Sequence, residues 1–172
     1  MKVLHAPVVI ANQSVILTKA LRNIGVEAIS LQYYKSPLKY SADININVGR
    51  KRNFIKWFFV QLVNFPRFYN SYDIYHFHYG ETLLPFFLDL PILRILGKKI
   101  VFEYHGADIK PPLSYKVPFS FLTKIYLSIN QQMIKIVAKL FANAEIVTTP
   151  DLLRLRVWSC VHSCRITAES KS

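Results

Sequence analysis

KIVFEYHGAD (Lys99–Asp108) consists of an apolar stretch of strand length, KIVFEY, and a short polar loop, HGAD, that contains a glycine. The segment before it, Leu83 to Leu96, has helical spacing and closes at Gly97, and Pro85 is tolerated in its first turn. A second apolar stretch, DIYHFHYG (Asp73–Gly80), precedes that helix. Strand, helix and strand in this order predict two parallel strands joined by a helical crossover.

The rest of the chain continues this alternation of strands and helices. A strand at Val3-Leu4 is followed by a helix that Asn12 caps and Gly25 ends. The other predicted strands run from Val26 to Leu31, from Ile44 to Val48 (half-exposed, near a sheet edge) and from Glu145 to Thr148. Two long helices are predicted, from Arg50 to about Phe68 and from Val117 to Leu140. The pattern predicts an α/β fold: a doubly wound, mostly parallel, Rossmann-like sheet of about six strands with helices on both faces.

The composition favours a single domain with an anionic partner. The chain has 172 residues, 52% hydrophobic and 19% charged, which is enough apolar material for one well-packed core. Its net charge of +12 favours phosphates, nucleic acid or an anionic membrane surface without choosing among them. Only Cys160 and Cys164 are present, which suits a reducing compartment, and no apolar run reaches the roughly 18 residues of a membrane span. The start resembles a strand, not a signal peptide, so we expect a cytoplasmic protein, at most peripheral on the inner face of a membrane.

The end of the chain breaks the alternating pattern. Residues 154–172 have no clear period, hold both cysteines and include one of the two tryptophans. Two interpretations stay open: an ordinary flexible terminus, or sequence foreign to the fold after a truncation or a change of reading frame near Leu153. The sequence therefore predicts a domain over residues 1–153 and a separate tail over residues 154–172.

Three histidines fall at or near the predicted ends of strands. His5 follows the first strand, His78 ends the fourth and His105 follows the fifth. In a doubly wound sheet, ligands bind beyond the carboxyl ends of the strands, where the strand order reverses (the switch point). We therefore expect His5, His78 and His105 to lie close together at that edge.

Other interpretations of these residues compete with ligand binding. His5 and His76 are more typical of structural groups whose hydrogen bonds are satisfied inside the fold than of ligands. His76 and His78 form a His-x-His pair, a common zinc donor pair, but the sequence places no cysteine nearby and no third ligand at metal-site spacing, so no metal site is expected. Gly106 lets the backbone approach a ligand, and Asp108 could cap a helix or accept a hydrogen bond from a sugar hydroxyl.

Two further segments could contact phosphate or lipid. The turn from Ala6 to Ser14 leads into a helix amino terminus but has no glycine, which excludes a dinucleotide fingerprint or P-loop. A second segment combines basic charge with aromatic side chains: Arg50, Lys51, Arg52, Lys56 and Trp57. Its apolar side either packs on the sheet with the charges solvated, or meets anionic lipid and a lipid-linked acceptor. Nothing in it resembles an RNA-binding motif, so nucleic acid is not favoured.

Four segments resemble the retaining glycosyltransferases of family 4: residues 17–25, 73–80, 93–108 and 147–153. The most specific of them is the loop His105-Gly106-Ala107-Asp108 after the strand that begins Gly-Lys-Lys-Ile-Val. The resemblance covers about residues 1–153. It implies the amino-terminal half of a GT-B fold, in which two Rossmann-like domains face a cleft.

The resemblance also implies roles for particular residues. The second domain would bind most of the nucleotide-diphosphate sugar, which is the donor substrate, and this domain alone would bind no cofactor. His105 would contact the donor sugar, Gly106 would keep that approach open, and Asp108 would hold the loop or meet a hydroxyl. Asn12 and Gln13 would lie beside the diphosphate or a sugar or lipid-linked acceptor. His78 and Gly80 complete the set expected at the substrate.

The sequence departs from the family pattern in two ways that bear on activity. Its first loop lacks the glycine pair that many members carry, and the Arg/Lys pair and paired-glutamate motif of the second domain are absent from the 172 residues. Those cations would stabilise the leaving diphosphate during transfer with retention, through an oxocarbenium-like transition state. No catalytic residue is therefore assigned, and we expect little or no turnover from this chain alone. The rival hypothesis is a non-catalytic α/β module that binds an anionic membrane surface or a partner protein.

Overall fold

The computed structural model of the chain describes residues 1–9, 12–34, 40–46, 54–106, 108–110 and 120–148. Strands and helices alternate through these residues. The strands are β1 (Lys2–Ala6), β2 (Glu27–Gln32), β3 (Ile44–Asn45), β4 (Ile74–His78), β5 (Lys99–Tyr104) and β6 (Ala144–Val147). The helices are α1 (Gln13–Asn23), α2 (Phe54–Asn64), α3 (Asp89–Ile95) and α4 (Phe121–Phe141), with short 3₁₀ turns at Phe65–Arg67 and Pro85–Phe87.

The strands form one parallel sheet in the order β3-β2-β1-β4-β5-β6. This is the strand order of a Rossmann-like, doubly wound sheet, and it confirms the predicted fold class. The order reverses between β1 and β4, so the switch point lies where the carboxyl ends of these two strands meet. The short β3 is at the edge of the sheet, as the alternating segment from Ile44 predicted.

One face of the sheet carries the main core. Side chains alternate between the faces of a strand, and paired positions in neighbouring parallel strands share a face. This face presents a fully buried set of large side chains, namely Leu4, Leu31, Tyr75, Phe77, Ile100 and Phe102. Leu90 and Leu93 of α3, together with Ile134 and Val137 of α4, pack against them. Burying one such side chain stabilises the fold by about 1.5–3 kcal/mol, so this layer fixes the positions of the strand ends.

The opposite face of the sheet is polar at its centre. Helix α1 packs on β1 and β2 there and buries Ser14 and Thr18. Register places Ser30 of β2 beside His5 of β1, and His76 of β4 beside the same histidine. The sheet therefore has helices on both faces, but only one face has an apolar, aromatic centre.

Several predicted boundaries change in the structure. The predicted helix from Leu83 is a 3₁₀ turn followed by the shorter α3, and α2 ends at Asn64 with a 3₁₀ turn after it. The predicted start of α2 at Arg50 lies outside the described residues. Asn12 is the N-cap residue of α1, as predicted, but its backbone is left-handed (φ 64°) and its side chain makes no capping hydrogen bond. Helix α4 begins at Phe121, where the hydroxyl of Ser120 accepts the N–H of Thr123.

The tail predicted over residues 154–172 and the basic residues 50–52 lie outside the described residues. Within the described part of the chain, no helix combines the length and apolar character needed to cross a bilayer.

Candidate functional site

Four histidines and one glutamate meet at the switch point. His5 is paired with His76 across β1 and β4, and His78 is paired with Glu103 across β4 and β5. The Nδ1 atom of His5 lies 3.1 Å from Nε2 of His78, and the ring centres of His78 and His105 are 5.7 Å apart. The predicted convergence of His5, His78 and His105 at this edge is therefore confirmed. Whether they bind a substrate stays a prediction.

Glu103 lies at the centre of this group, and the sequence reasoning missed it. Its Oε2 atom is 3.0 Å from Nε2 of His76 and 3.3 Å from Nδ1 of His78, and its Oε1 atom is 3.9 Å from Nε2 of His105. A charged residue inside an otherwise apolar strand was the available signal. Glu103 lies in β5, and His105 follows two positions later in the loop after that strand.

The close approach of Glu103 to the histidines does not amount to hydrogen bonding. Oε2 of Glu103 is within ion-pair distance of His76 and His78 but makes no hydrogen bond to either. Oε2 of Glu103 and Nε2 of His76 consequently have no hydrogen-bond partner among the described residues. Short distances without suitable geometry leave these polar atoms unsatisfied.

Burial keeps His5, His78 and His105 neutral. It lowers the pKa of His5 to about 3, and the neighbouring His76 adds to the effect. It also lowers the pKa of His78 well below the ordinary value, with further lowering from the surrounding histidines. The pKa of His105 is lowered too, by burial, although Glu103 and Asp108 oppose the shift. At neutral pH these rings can therefore donate at one nitrogen and accept at the other.

The loop after β5 is organised by Asp108. Its carboxylate accepts the backbone N–H of His105 at 3.1 and 3.2 Å and the N–H of Gly106 at 2.8 Å. Gly106 has φ of 112°, a conformation that L side chains rarely adopt. Burial raises the pKa of Asp108, although hydrogen bonds from His105 and Gly106 oppose that rise. Of the roles left open for Asp108, holding the loop is the one that its hydrogen bonds show.

The start of α1 brings further polar groups toward the carboxyl end of β1. Gln13 is the first residue of α1, and its Oε1 atom is buried without a hydrogen-bond partner among the described residues. The hydroxyl of Ser14 is in the same condition, as is Oε1 of Gln32 at the carboxyl end of β2. The helix carries no acidic residue in its first turn. This end of α1 therefore presents polar atoms and free N–H groups, as an anion or hydroxyl site requires.

Buried side-chain atoms without hydrogen-bond partners are concentrated near the carboxyl ends of the strands. Among the described residues, the buried side-chain nitrogen and oxygen atoms without a hydrogen-bond partner belong to seven residues, which we call the polar cluster: His5, Gln13, Ser14, Gln32, His76, Glu103 and His105. They come from strands β1, β2, β4 and β5, the loop after β5 and the start of α1. Buried polar groups are nearly always paired, so such a concentration needs an explanation.

Gly80 has a structural reason to be glycine. Its φ is 62°, and a Cβ atom added there would lie 2.5 Å from Cδ1 of Ile134 on α4. Tyr79 beside it also has a positive φ, of 61°. Helix α4 therefore packs directly on the turn after β4, and the substrate contact expected for Gly80 has no observation to support it.

The predicted membrane-facing patch is only partly at the surface. Lys56 is exposed, but Trp57 packs against the core, and its Nε1 donates to the hydroxyl of Tyr34 at 2.6 Å. Trp57 is therefore partly buried, and contact of this patch with a membrane stays a prediction. Residues 50–52 of the patch lie outside the described residues.

The fold supplies the metal-ligand neighbours that the sequence did not show. One nitrogen each from His5, His76 and His78 lie within 4.8 Å of one another, and the same limit holds for ligand atoms of His78, Glu103 and His105. The sequence showed no third ligand beside the His-x-His pair because His5 is 71 residues away from His76 along the chain.

Comparison of the chain with protein-family models and with curated proteins finds no match. The fold and the polar cluster define a class of site: a polar ligand site at the switch point of a parallel α/β sheet.

Proposed function

We propose that this chain is the acceptor-side, amino-terminal domain of a retaining glycosyltransferase that uses a nucleotide-diphosphate sugar, and that the polar cluster contacts a sugar. The observation that carries the proposal is the set of unpartnered buried atoms in the polar cluster. A sugar offers many hydroxyl groups, each of which can donate to a carboxylate or carbonyl oxygen and accept from an imidazole N–H. A polyhydroxyl ligand therefore fits a site that mixes unpaired donors and acceptors.

The charge state of the site also suits an uncharged ligand. Burial holds the His5 and His78 rings in the neutral form, as their lowered pKa values indicate. Neutral imidazoles orient hydroxyl groups through hydrogen bonds, and they do not compete for the diphosphate as cations would. The leaving diphosphate would instead be stabilised by the second domain that the family resemblance implies.

The loop of His105, Gly106 and Asp108 supports a role at the sugar. Asp108 is occupied by backbone N–H groups, so it fixes the loop, and Nε2 of His105 remains buried without a hydrogen-bond partner among the described residues. A fixed loop that presents one unpaired nitrogen suits contact with a single hydroxyl. Gln13, at the start of α1, is the residue that this proposal assigns to the acceptor or diphosphate.

A titration of the full chain followed by NMR tests the proposal. Backbone amides of His105, Gly106 and Gln13 are expected to shift when a nucleotide sugar, or the corresponding free sugar, is added. His105→Ala is expected to weaken the shift response, whereas Asp73→Asn, at the amino-terminal edge of the sheet, is a matched control that leaves it unchanged. The proposal would be contradicted if only amides at the amino-terminal edge showed saturating shifts, or if both variants showed equal shifts.

A second candidate function is binding to an anionic membrane surface, and helix α4 favours it. Its 21 residues include three lysines and no acidic residue. Several of its large apolar side chains are exposed, namely Phe121, Leu122, Tyr126, Ile129, Ile136 and Leu140. An apolar surface with only positive charge along it is typical of helices that lie in the membrane interface.

Vesicle sedimentation separates this candidate from the first. The chain is expected to sediment with vesicles that contain anionic lipid and not with zwitterionic ones. Leu122→Ser combined with Ile129→Ser on α4 is expected to reduce binding, and the control Ile24→Ser changes an equally exposed side chain next to α1. If the double variant binds as well as the wild type, α4 is not the membrane surface.

A further inference from the structure

Three imidazole rings lie close together at the polar cluster: those of His5 and His76, which belong to it, and that of His78 beside them. The ring centres of His5 and His76 are 4.7 Å apart, those of His76 and His78 are 4.5 Å apart, and those of His5 and His78 are 5.4 Å apart. All three residues are more than nine-tenths buried. The fold brings them together by register, because His5 on β1 lies beside His76 on β4, and His78 follows two positions later on the same face.

We propose that His5, His76 and His78 bind one transition-metal ion, with zinc as the best fit. Each offers one ring nitrogen, and these nitrogens lie within 4.8 Å of one another. Nδ1 of His5 and Nε2 of His78 are 3.1 Å apart. In a tetrahedral zinc site with Zn–N bonds of about 2.0–2.1 Å, neighbouring ligand atoms are about 3.3 Å apart. The pair is therefore already at ligand spacing.

Glu103 is placed as a supporting residue for this ion. Its Oε2 atom lies 3.3 Å from Nδ1 of His78, the nitrogen that faces away from His5. Glu103 makes no hydrogen bond to that nitrogen in the structure, but on ion binding it would be placed to accept one, as carboxylates commonly do from the second nitrogen of ligating histidines. The carboxylate would also offset part of the charge of a buried divalent ion.

The alternative is a cluster of packed histidines with nothing bound. Buried atoms without hydrogen-bond partners are evidence against it. Nε2 of His76 is buried without a partner among the described residues, as is Oε2 of Glu103. Unpaired buried groups of this kind in native proteins often mark an ion or water site. Imidazole nitrogens favour zinc, copper or nickel over magnesium or calcium, which prefer oxygen ligands.

Such an ion would link β1 to β4 at the switch point. It would hold together the two strands whose carboxyl ends flank the polar cluster. This inference concerns the rings themselves, so it does not depend on the sugar proposed above.

Metal binding by the full chain tests the inference. The tail contains Cys160, His162 and Cys164, which could bind zinc on their own, so the background protein carries Cys160→Ser, His162→Gln and Cys164→Ser. After equilibrium dialysis with Zn²⁺, this background is expected to hold one ion per chain. With Co²⁺ it is expected to show the visible absorption of a tetrahedral site. His5→Gln is expected to weaken binding by about 100-fold or more, in line with the loss of a ligand.

The matched control is His105→Gln, which changes a histidine of the same cluster outside the proposed ligand set. It is expected to keep the ion and the cobalt spectrum. Circular dichroism checks the fold of each variant. If His5→Gln does not fold, long-range ¹H–¹⁵N spectra of the unsubstituted chain still report the ligands, since zinc should shift ring nitrogens of His5, His76 and His78. Absence of stoichiometric binding, or loss on His105→Gln but not on His5→Gln, overturns the proposal.

Discussion

Asp108 holds the backbone of His105 in place. The two oxygens of its carboxylate accept the N–H of His105 at 3.1 and 3.2 Å, and one of them also accepts the N–H of Gly106 at 2.8 Å. The carboxylate is buried, so water cannot easily replace these bonds. The loop after β5 is therefore fixed from within the protein, and it does not need a ligand to define its shape.

Replacing Asp108 should loosen that loop. Asp108→Ala leaves the N–H groups of His105 and Gly106 without an acceptor, and each buried, unsatisfied group costs about 1–3 kcal/mol. We expect urea denaturation to show a loss of that order and hydrogen exchange to show lost protection at both amides. Asp73→Ala, which removes one exposed bond to the N–H of Lys2, is the control and should cost less. Unchanged exchange at Gly106 would mean that Asp108 does not hold the loop in solution.

Alanine substitutions at Gly80 and Gly97 distinguish the cost of backbone strain from the cost of overpacking. Both have positive φ, 62° and 70°, but a Cβ at Gly80 would meet Cδ1 of Ile134 at 2.5 Å, whereas nothing lies within 4 Å at Gly97. Gly80→Ala should therefore cost about 1–3 kcal/mol more than Gly97→Ala, the usual range for overpacking. The free energy of unfolding in denaturant measures the difference. Ile134→Val removes Cδ1 and should recover part of that loss; equal costs at the two glycines would contradict the packing argument.

The sequence predicted the fold and part of the site for a physical reason. The period of apolar residues distinguishes strands from helices, and three histidines stood at strand ends, where a doubly wound sheet collects ligands. Glu103 was missed because it lies inside a strand, and only register shows that it faces His78. The His5–His76 contact was out of reach for the same reason, since no local pattern records the register of one strand against the next.

Two local details differ from what residue type alone suggests, and they have different origins. Asn12 is a good capping residue, but asparagine also tolerates the left-handed conformation that it adopts here, and residue type alone does not choose between them. Trp57 follows Lys56 directly, and the pair was treated as one basic and aromatic patch. Adjacent residues on a helix point about 100° apart, so Lys56 is exposed while Trp57 packs inward.

Asp89 predicts a specific pH dependence of stability. It is buried, and burial raises its pKa from 3.8 to about 6, against hydrogen bonds from the Thr82 hydroxyl and the Leu83 N–H. Because the folded state takes up the proton first, Asp89 contributes stability below its unfolded pKa, and that contribution is lost as pH rises through 6. When the pH is lowered from 7 to 5, the free energy of unfolding of the wild type should therefore rise by about 1 kcal/mol relative to that of Asp89→Asn.

The measurement is the free energy of unfolding of both proteins at the two pH values. Titration of the histidines is common to both chains, so it cancels in the difference. Asp73→Asn is the control: it also removes a carboxylate that accepts a backbone N–H, but an exposed one. A difference between wild type and Asp89→Asn that stays constant from pH 7 to pH 5 would show that Asp89 does not carry the raised pKa.

The last prediction concerns sugar transfer and follows from the proposed function. The cationic pair expected at the diphosphate is absent from these 172 residues, so the chain alone should transfer no sugar from a nucleotide sugar, with or without divalent metal. Joined to an intact nucleotide-binding domain of the same family, it should show transfer. In that enzyme His105→Ala should lower kcat more than it weakens nucleotide binding, because the histidine would touch the sugar where charge develops, while the other domain holds the nucleotide. Asp73→Asn should leave both quantities unchanged. Turnover by the chain alone would mean that the groups stabilising the diphosphate lie within it, and an active joined enzyme that tolerates His105→Ala would remove His105 from the sugar site.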